Sequence, residues 1–493
     1  MKKLCAVLTA TAVAIALPTP ALAQTTTGPK NIIYMVGDGM GYNHVAATNL
    51  YQAGETRYQV EGEANPATLK EKPGKAVQQF ENFNLLGMST YQHGNYYDGQ
   101  KAWSDHNWVN ESYTDSAASG TALATGVKTA NGKLGVDPND VKLENTSERA
   151  KKLGKAAGVV SSVPFSHATP AAWASHNPKR NNYHEIAAEM IASDLDVIMG
   201  AGHPLYTDDA TLAEQATYKY ISEKSYEEIM AEGSKWDVIV DESEFQALAD
   251  GTVKPDQQYF GLAPAASTLQ FNRTGNDPLQ PFATPENDIV DLPTMSKAAL
   301  NVLGQDEDGF HLMIEGGAID WAGHANTIGP NIEEVIDFNE AVDAVIEWVE
   351  KNSSWDETLL IVTADHETGY LSGAGDQPGY TALTGAKGEV PSHKYYSPNH
   401  TNMLVPIFFK GAGSEDIKAA TEGTDPVRGG YVDNTTVAKL TLNNWWTGTT
   451  DGGSSAGAVA GAIAGVIGLI AAIVGALNLP QIADALRNLL PRF

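Results

Sequence analysis

A chain of 493 residues with 60 acidic against 32 basic side chains carries a formal net charge of -28. Its 42% apolar and 19% charged residues are the composition of a globular protein rather than a disordered one, and the length admits a large core. The negative surplus excludes nucleic-acid binding, because the phosphate backbone would be repelled, but leaves an anionic small molecule open wherever cations line the site.

The first residues read as an export signal. Lys2 and Lys3 precede a mostly apolar run over residues 4–17, and Ala21-Leu22-Ala23 offers a small-x-small cleavage site after Ala23. The expected location is therefore extracellular, periplasmic or on the outer face of the cell membrane. Cys5, the one cysteine, falls in this segment, so a processed chain holds no disulfide and no thiolate ligand. Any metal must then be bound by oxygen and imidazole.

Residues 24–450 are expected to form one catalytic domain. Short apolar runs at residues 31–36, 158–163, 196–199, 236–240, 310–314, 358–363 and 405–409 predict strands, and the pattern predicts helices over 183–193 and 332–351. This alternation predicts an α/β fold, a three-layer sandwich with a large, mostly parallel central sheet and helices on both faces. The polar stretch 206–284 reads as peripheral helices and loops. In such sheets ligands bind beyond the carboxyl ends of the strands. Asp38, His167, Glu315 and Asp365 each stand one to four residues past a predicted strand.

Asp38 lies in Val-Gly-Asp-Gly-Met-Gly, residues 36–41, where glycines permit tight turns and close approach. Taken alone it is an ordinary turn residue. The segment from Thr114 through Asp115 and Ser116 to Gly126 is more specific, because it starts a helix whose first turns carry only small side chains. Ser116 would sit at the positive end of that helix, where an anion is favoured. A serine hydroxyl is a poor nucleophile unless a base or a metal activates it, and no Gly-x-Ser-x-Gly elbow is present here, which favours a metal. The structural alternative is that Asp115 and Ser116 merely cap the helix.

His167 and Thr169 follow the strand predicted at 158–163, and Arg180 further on is suited to a bidentate grip on phosphate. Asp320 and His324 are four apart and share a helical face, so they can grip one ion. Oxygen plus imidazole suits zinc, whereas Glu315 suits a harder cation such as magnesium. Asp365 and His366 can reach one ion if the chain turns after the strand. His400 offers one more imidazole just before a strand.

A Gly/Ser-rich linker at residues 451–455 leads into residues 456–477, which lack any charge and are long enough to span a bilayer. Gly457, Gly461 and Gly465 repeat at four-residue spacing, and Arg487 and Arg492 follow. The expectation is a membrane-associated tail with the main body outside. A buried Ala/Gly-rich helix or a removable sorting tail are the alternatives.

In order and character these motifs resemble those of alkaline phosphatases, over residues 31 to about 441. The resemblance implies hydrolysis of small-molecule phosphate monoesters through a phosphoserine at Ser116, with Arg180 clamping the phosphate oxygens. It implies two Zn2+ and one Mg2+: Asp320, His324 and His400 for one zinc, Asp38, Asp365 and His366 for the other. Asp38, Thr169 and Glu315 would hold the magnesium. Two departures stand beside that third ion, His167 where certain members have aspartate and Trp321 where certain members have lysine. The resemblance also implies a homodimer, and the short chain between Gly369 and His400 implies a reduced crown. Two other readings fit parts of the pattern: a phosphodiesterase or sulfatase-like hydrolase on the same scaffold, and a non-catalytic, membrane-anchored surface protein that uses the metals for stability.

Overall fold

All seven predicted strand runs enter one 11-stranded sheet. The computed structural model describes residues 28–63 and 65–448. The expected export signal, the linker and the apolar tail with Gly457, Gly461 and Gly465 lie outside the described residues. Among those described, no helix is long and apolar enough to cross a membrane.

The sheet strands, in chain order, are β1 (Asn31–Gly37), β2 (Asn84–Ser89), β3 (Ala156–Pro164), β4 (Val197–Ala201), β5 (Trp236–Ile239), β6 (Gln258–Leu262), β7 (Phe310–Gly316), β8 (Thr358–Thr363), β9 (Val405–Gly411), β10 (Gly423–Asp425) and β11 (Gly429–Asp433). Across the sheet they run β10-β11-β2-β9-β8-β1-β7-β3-β4-β6-β5. From β8 to β5 every pairing is parallel. β9 runs antiparallel to both of its neighbours. Every residue of β1, β3, β7 and β8 is buried. Successive side chains point to opposite faces, so helices cover the sheet on both sides and the three-layer expectation holds.

Four sheet strands escaped the apolar pattern. β2, β10 and β11 are short or rich in glycine and asparagine, and β6 lies within the stretch 206–284 that reads as peripheral helices and loops. That expectation is corrected: β6 pairs with both β4 and β5 and extends the parallel run. The helices predicted over 183–193 and 332–351 appear as Tyr183–Ala192 and Ile328–Asn352.

The helices include α1 (Ser116–Thr125), α2 (Leu292–Leu303), α3 (Ala318–Ala325) and α4 (Ile328–Asn352). The topology concentrates chemistry at one edge. β8, β1, β7 and β3 are consecutive neighbours, and all four parallel strands end on the same side. Asp365, Asp38, Glu315 and the His167–Thr169 segment therefore converge there. Antiparallel β9 begins at this same edge, which explains how His400 joins them although it precedes its strand.

Candidate active site

Asp38 follows β1 directly, and its N–H donates to Gly316 O at 3.2 Å, tying the exits of β1 and β7 together. Gly39 next to it adopts φ 74°, and a Cβ there would meet Thr368 Oγ1 at 2.7 Å and the Asp320 Cα at 3.0 Å. Only glycine lets this loop approach α3 so closely. The Gly39 N–H in turn donates to Asp365 Oδ1 at 3.1 Å.

Asp115 caps α1, accepting from Ala118 N at 2.9 Å. Its other oxygen accepts from Gly132 N at 2.9 Å and from Arg180 Nη1 at 3.1 Å. Asp115 thus fixes the helix start and pins the guanidinium beside it. Burial opposes the Arg180 charge, but Asp115 overcomes it and holds the guanidinium protonated. Ser116 is the first residue of α1, is buried, and places Oγ 3.2 Å from His366 Nε2.

Two donor clusters surround this serine. In the first, one oxygen of Asp320 and the Nε2 atoms of His324 and His400 lie within 4.8 Å of one another. The two Nε2 atoms are 3.0 Å apart, and each is 3.4 Å from Asp320 Oδ1. His324 Nδ1 donates to Pro398 O at 2.6 Å, and His400 Nδ1 donates to Thr114 O at 2.8 Å. A carbonyl only accepts, so both Nδ1 atoms carry protons. In neutral rings the two Nε2 lone pairs then face each other and a carboxylate. That arrangement is repulsive by itself and fits a cation at its centre.

The second cluster brings together Asp38, Asp320 and His366. Asp365 joins it, with Oδ2 3.1 Å from His366 Nε2, and Asp38 Oδ1 lies 3.5 Å from the same nitrogen. Asp38 Oδ1 and Asp365 Oδ2 are enclosed yet have no hydrogen-bond partner. The Thr368 hydroxyl donates to Asp320 Oδ1 at 2.6 Å and accepts from His366 Nδ1 at 3.2 Å. His366 therefore also directs an Nε2 lone pair inward. Thr368 orients one residue of each cluster and was missed from sequence, although it stands only two positions after His366.

Thr169 donates to Asp38 Oδ2 at 3.4 Å. Glu315 accepts from the Ser161 hydroxyl, while its Oε1 is enclosed without a partner. Asp38, Thr169 and Glu315 thus form an oxygen-only group that suits a hard cation. His167 is not part of either cluster. Its ring stacks near Tyr183 at 6.1 Å and meets the edge of Trp321 at 5.6 Å, and its enclosed Nδ1 has no partner.

The electrostatics repeat this pattern. Burial, then Asp365, Asp320 and Glu315, push Asp38 well above the usual carboxylate range. Burial pushes Glu315 up to about 7 against the Ser161 hydrogen bond. Burial would also raise Asp320, but a hydrogen bond from His400 and the positive charge of His400, His324 and His366 when protonated, a charge that a bound cation would supply beside neutral rings, hold it far below its ordinary value. Burial, reinforced by Arg180, takes His167 down to about 3, so it is a neutral ring. Four carboxylates share a dry space with few cations of their own, which is the environment that bound cations would complete.

Comparison with known proteins gives a consistent result. The family model described as alkaline phosphatase matches residues 29–404. Alkaline phosphatase 4 of Bacillus subtilis is 33% identical over 352 residues, which is 69% of this chain and 62% of that protein. The chain thus spans just under two thirds of that relative's length. Escherichia coli alkaline phosphatase is 28% identical over 435 residues, covering 80% of this chain and 84% of that one. The solved structure of a cold-active alkaline phosphatase from a psychrophilic Shewanella superposes with a TM-score of 0.57 at 27% identity, over 83% of this chain and 98% of that one.

Proposed function

The chain belongs to the alkaline phosphatase family, and from that premise we propose that it hydrolyses phosphate monoesters through a covalent phosphoserine at Ser116. The observation that carries this reading is the Ser116 hydroxyl at a helix N-terminus, facing inward-pointing nitrogen lone pairs and partnerless carboxylate oxygens. In this reading Asp320, His324 and His400 would hold one zinc ion, and Asp38, Asp365 and His366 would hold a second. Asp38, Thr169 and Glu315 would hold a magnesium ion. The bound cations would lower the pKa of the serine hydroxyl and stabilise charge on the departing oxygen.

The protein's own groups do the rest. Arg180, held by Asp115, grips non-bridging phosphate oxygens and orients the ester. The N–H groups at the start of α1 favour the same anion. Ser116 Oγ forms a bond to phosphorus as the ester P–O bond breaks and the alcohol leaves. Water then attacks the phosphoserine, releasing inorganic phosphate and restoring the hydroxyl. Arg180 and the serine-bearing helix start favour a monoester over a diester, whose second ester group removes one of the charged oxygens that the guanidinium would grip.

Ser116→Ala should remove nearly all nitrophenyl phosphate turnover while zinc content stays near that of the wild type. Unchanged activity in that variant, or a much faster rate on the nitrophenyl diester in the wild type, would sink the proposal. We further propose that residues 24–450 are the catalytic domain, that it is exported, works as a homodimer, and is tethered through residues 456–477. Retention of the chain in the aqueous phase of a detergent partition would remove the tether.

A further inference from the structure

Ser119 stands one turn after Ser116 on α1 and is buried. Its Oγ lies 2.6 Å from the backbone oxygen of Asp365 and 2.9 Å from Asn434 Nδ2. Lys128 Nζ lies 2.6 Å from Asn434 Oδ1 and 2.8 Å from Asp433 Oδ2. The hydroxyls of Ser89 and Thr435 donate to Asp433 at 3.0 and 2.6 Å, and the Asn434 N–H donates to Ser89 O at 3.0 Å. Asp433 and Asn434 lie beyond residue 404, where the family match ends.

This hydrogen-bond chain has one possible polarity. The Asp365 carbonyl only accepts, so the Ser119 O–H must donate to it. The Asn434 amide nitrogen only donates, so it meets a Ser119 lone pair. The ammonium of Lys128 only donates, so Asn434 Oδ1 must face it. Exchanging oxygen and nitrogen in the Asn434 amide would break both of its bonds. The gripped carbonyl belongs to the rigid peptide plane that joins Asp365 to His366. The N–H of that same plane donates to Asp365 Oδ1 at 3.0 Å. Rotating the plane would therefore move the origins of the His366 ring, which faces Ser116, and of the Asp365 carboxylate beside that ring.

We propose that Asn434 is a positioning residue, which through Ser119 sets the Asp365–His366 peptide and thereby aims the His366 ring at Ser116 and the Asp365 carboxylate at that ring. The inference rests on the metal site proposed above. Its test uses the full chain with Asn434→Asp, which keeps the shape and the partnership with Lys128 but replaces the amide donor with an acceptor. The Ser119 hydroxyl would then turn to the new carboxylate and release the Asp365 carbonyl. Zinc affinity, measured by competition with a chromophoric chelator, should fall on the order of tenfold, the scale of outer-shell changes at metal sites. Turnover should fall with KM for nitrophenyl phosphate little changed, and the melting temperature of the zinc-free protein should hold. Ser119→Ala removes the middle of the chain and should shift zinc affinity in the same direction, which keeps the test open if Asn434→Asp does not fold. Wild-type zinc affinity and turnover in both variants would overturn the proposal, as would losses that merely follow a lower melting temperature. Wild-type protein that takes up no zinc would overturn the metal site itself and this inference with it.

Discussion

Two buried acidic clusters in this molecule settle their charge in different ways. At the strand exits and the start of α3, Asp38, Glu315, Asp320 and Asp365 gather near three imidazoles, and ligand atoms of Asp38, Asp320 and the imidazoles converge in two groups of three. Along α4, Glu333 and Glu334 are likewise buried, with Asp337 one turn on. There Glu333 pairs with Arg273 at 2.8 Å, and burial followed by the Glu333 charge pushes Glu334 up to about 8. Burial and Glu334 raise Asp337 well above the carboxylate range too. Among the described residues, no three ligand atoms converge around α4. The long helix strings its carboxyls along an axis, whereas three neighbouring strand exits and the first turn of α3 aim theirs at one region. Convergent geometry calls for cations, while dispersed geometry is satisfied by one arginine and by protons.

The strongest way to break this comparison is to strip metal. Treatment with a zinc chelator should remove nearly all turnover and lower the melting temperature at neutral pH. A ligand present at a thousand times its Kd stabilises by about 4 kcal/mol, so the thermal shift should be plain in a melting scan. A stripped protein, verified zinc-free by elemental analysis, that keeps its rate and its melting temperature would show that the strand-exit cluster is self-sufficient. Next in size is Arg273→Met. It leaves Glu333 as an uncompensated buried charge and removes bonds to Pro285 O, Gln270 O and Thr284 O. Loss of one partner of a buried pair costs about 3–5 kcal/mol, to be read from denaturant unfolding, with turnover per folded molecule intact. A neutral outcome would mean that the α4 cluster does not depend on its arginine.

The two clusters also differ in how far the sequence exposes them. Apolar runs followed by Asp38, Glu315 and Asp365 put three carboxylates at strand ends from sequence alone, because strand period and exit geometry are local. His400 is harder, since it precedes its strand, and only the antiparallel direction of β9 brings it to the same edge. Thr368, Ser119 and Asn434 are not legible at all as partners. The roles of Ser119 and Asn434 depend on which lone pair faces which proton across 246 and 315 residues of chain separation, and that of Thr368 on the docking of α3 against its turn. The α4 cluster is concealed in another way. Glu333, Glu334 and Asp337 look like the solvent face of an amphipathic helix, and nothing local reveals that the loop carrying Arg273 and Phe282 covers them. The same remoteness hid β6, whose short run inside a polar stretch becomes a strand only through pairing with β4 and β5.

The finest test concerns a single proton. Glu334 ordinarily titrates at 4.5 and is pushed up to about 8 in the fold, so the folded chain keeps its proton after the unfolded chain has lost it. The stability this supplies is fully present below 4.5 and is lost as pH rises through about 8. Glu334→Gln keeps the shape and has no proton to lose, so its stability should exceed that of the wild type increasingly across this window. The gain should grow by about 1.4 kcal/mol for each pH unit inside this window, measured as the difference between variant and wild type at each pH so that titration at the strand exits cancels. Parallel curves would mean that Glu334 is ionised at neutral pH. The α4 cluster would then carry more negative charge than Arg273 can match, and it would need a cation just as the strand exits do. The distinction between convergent and dispersed carboxylates stands only if the two curves diverge.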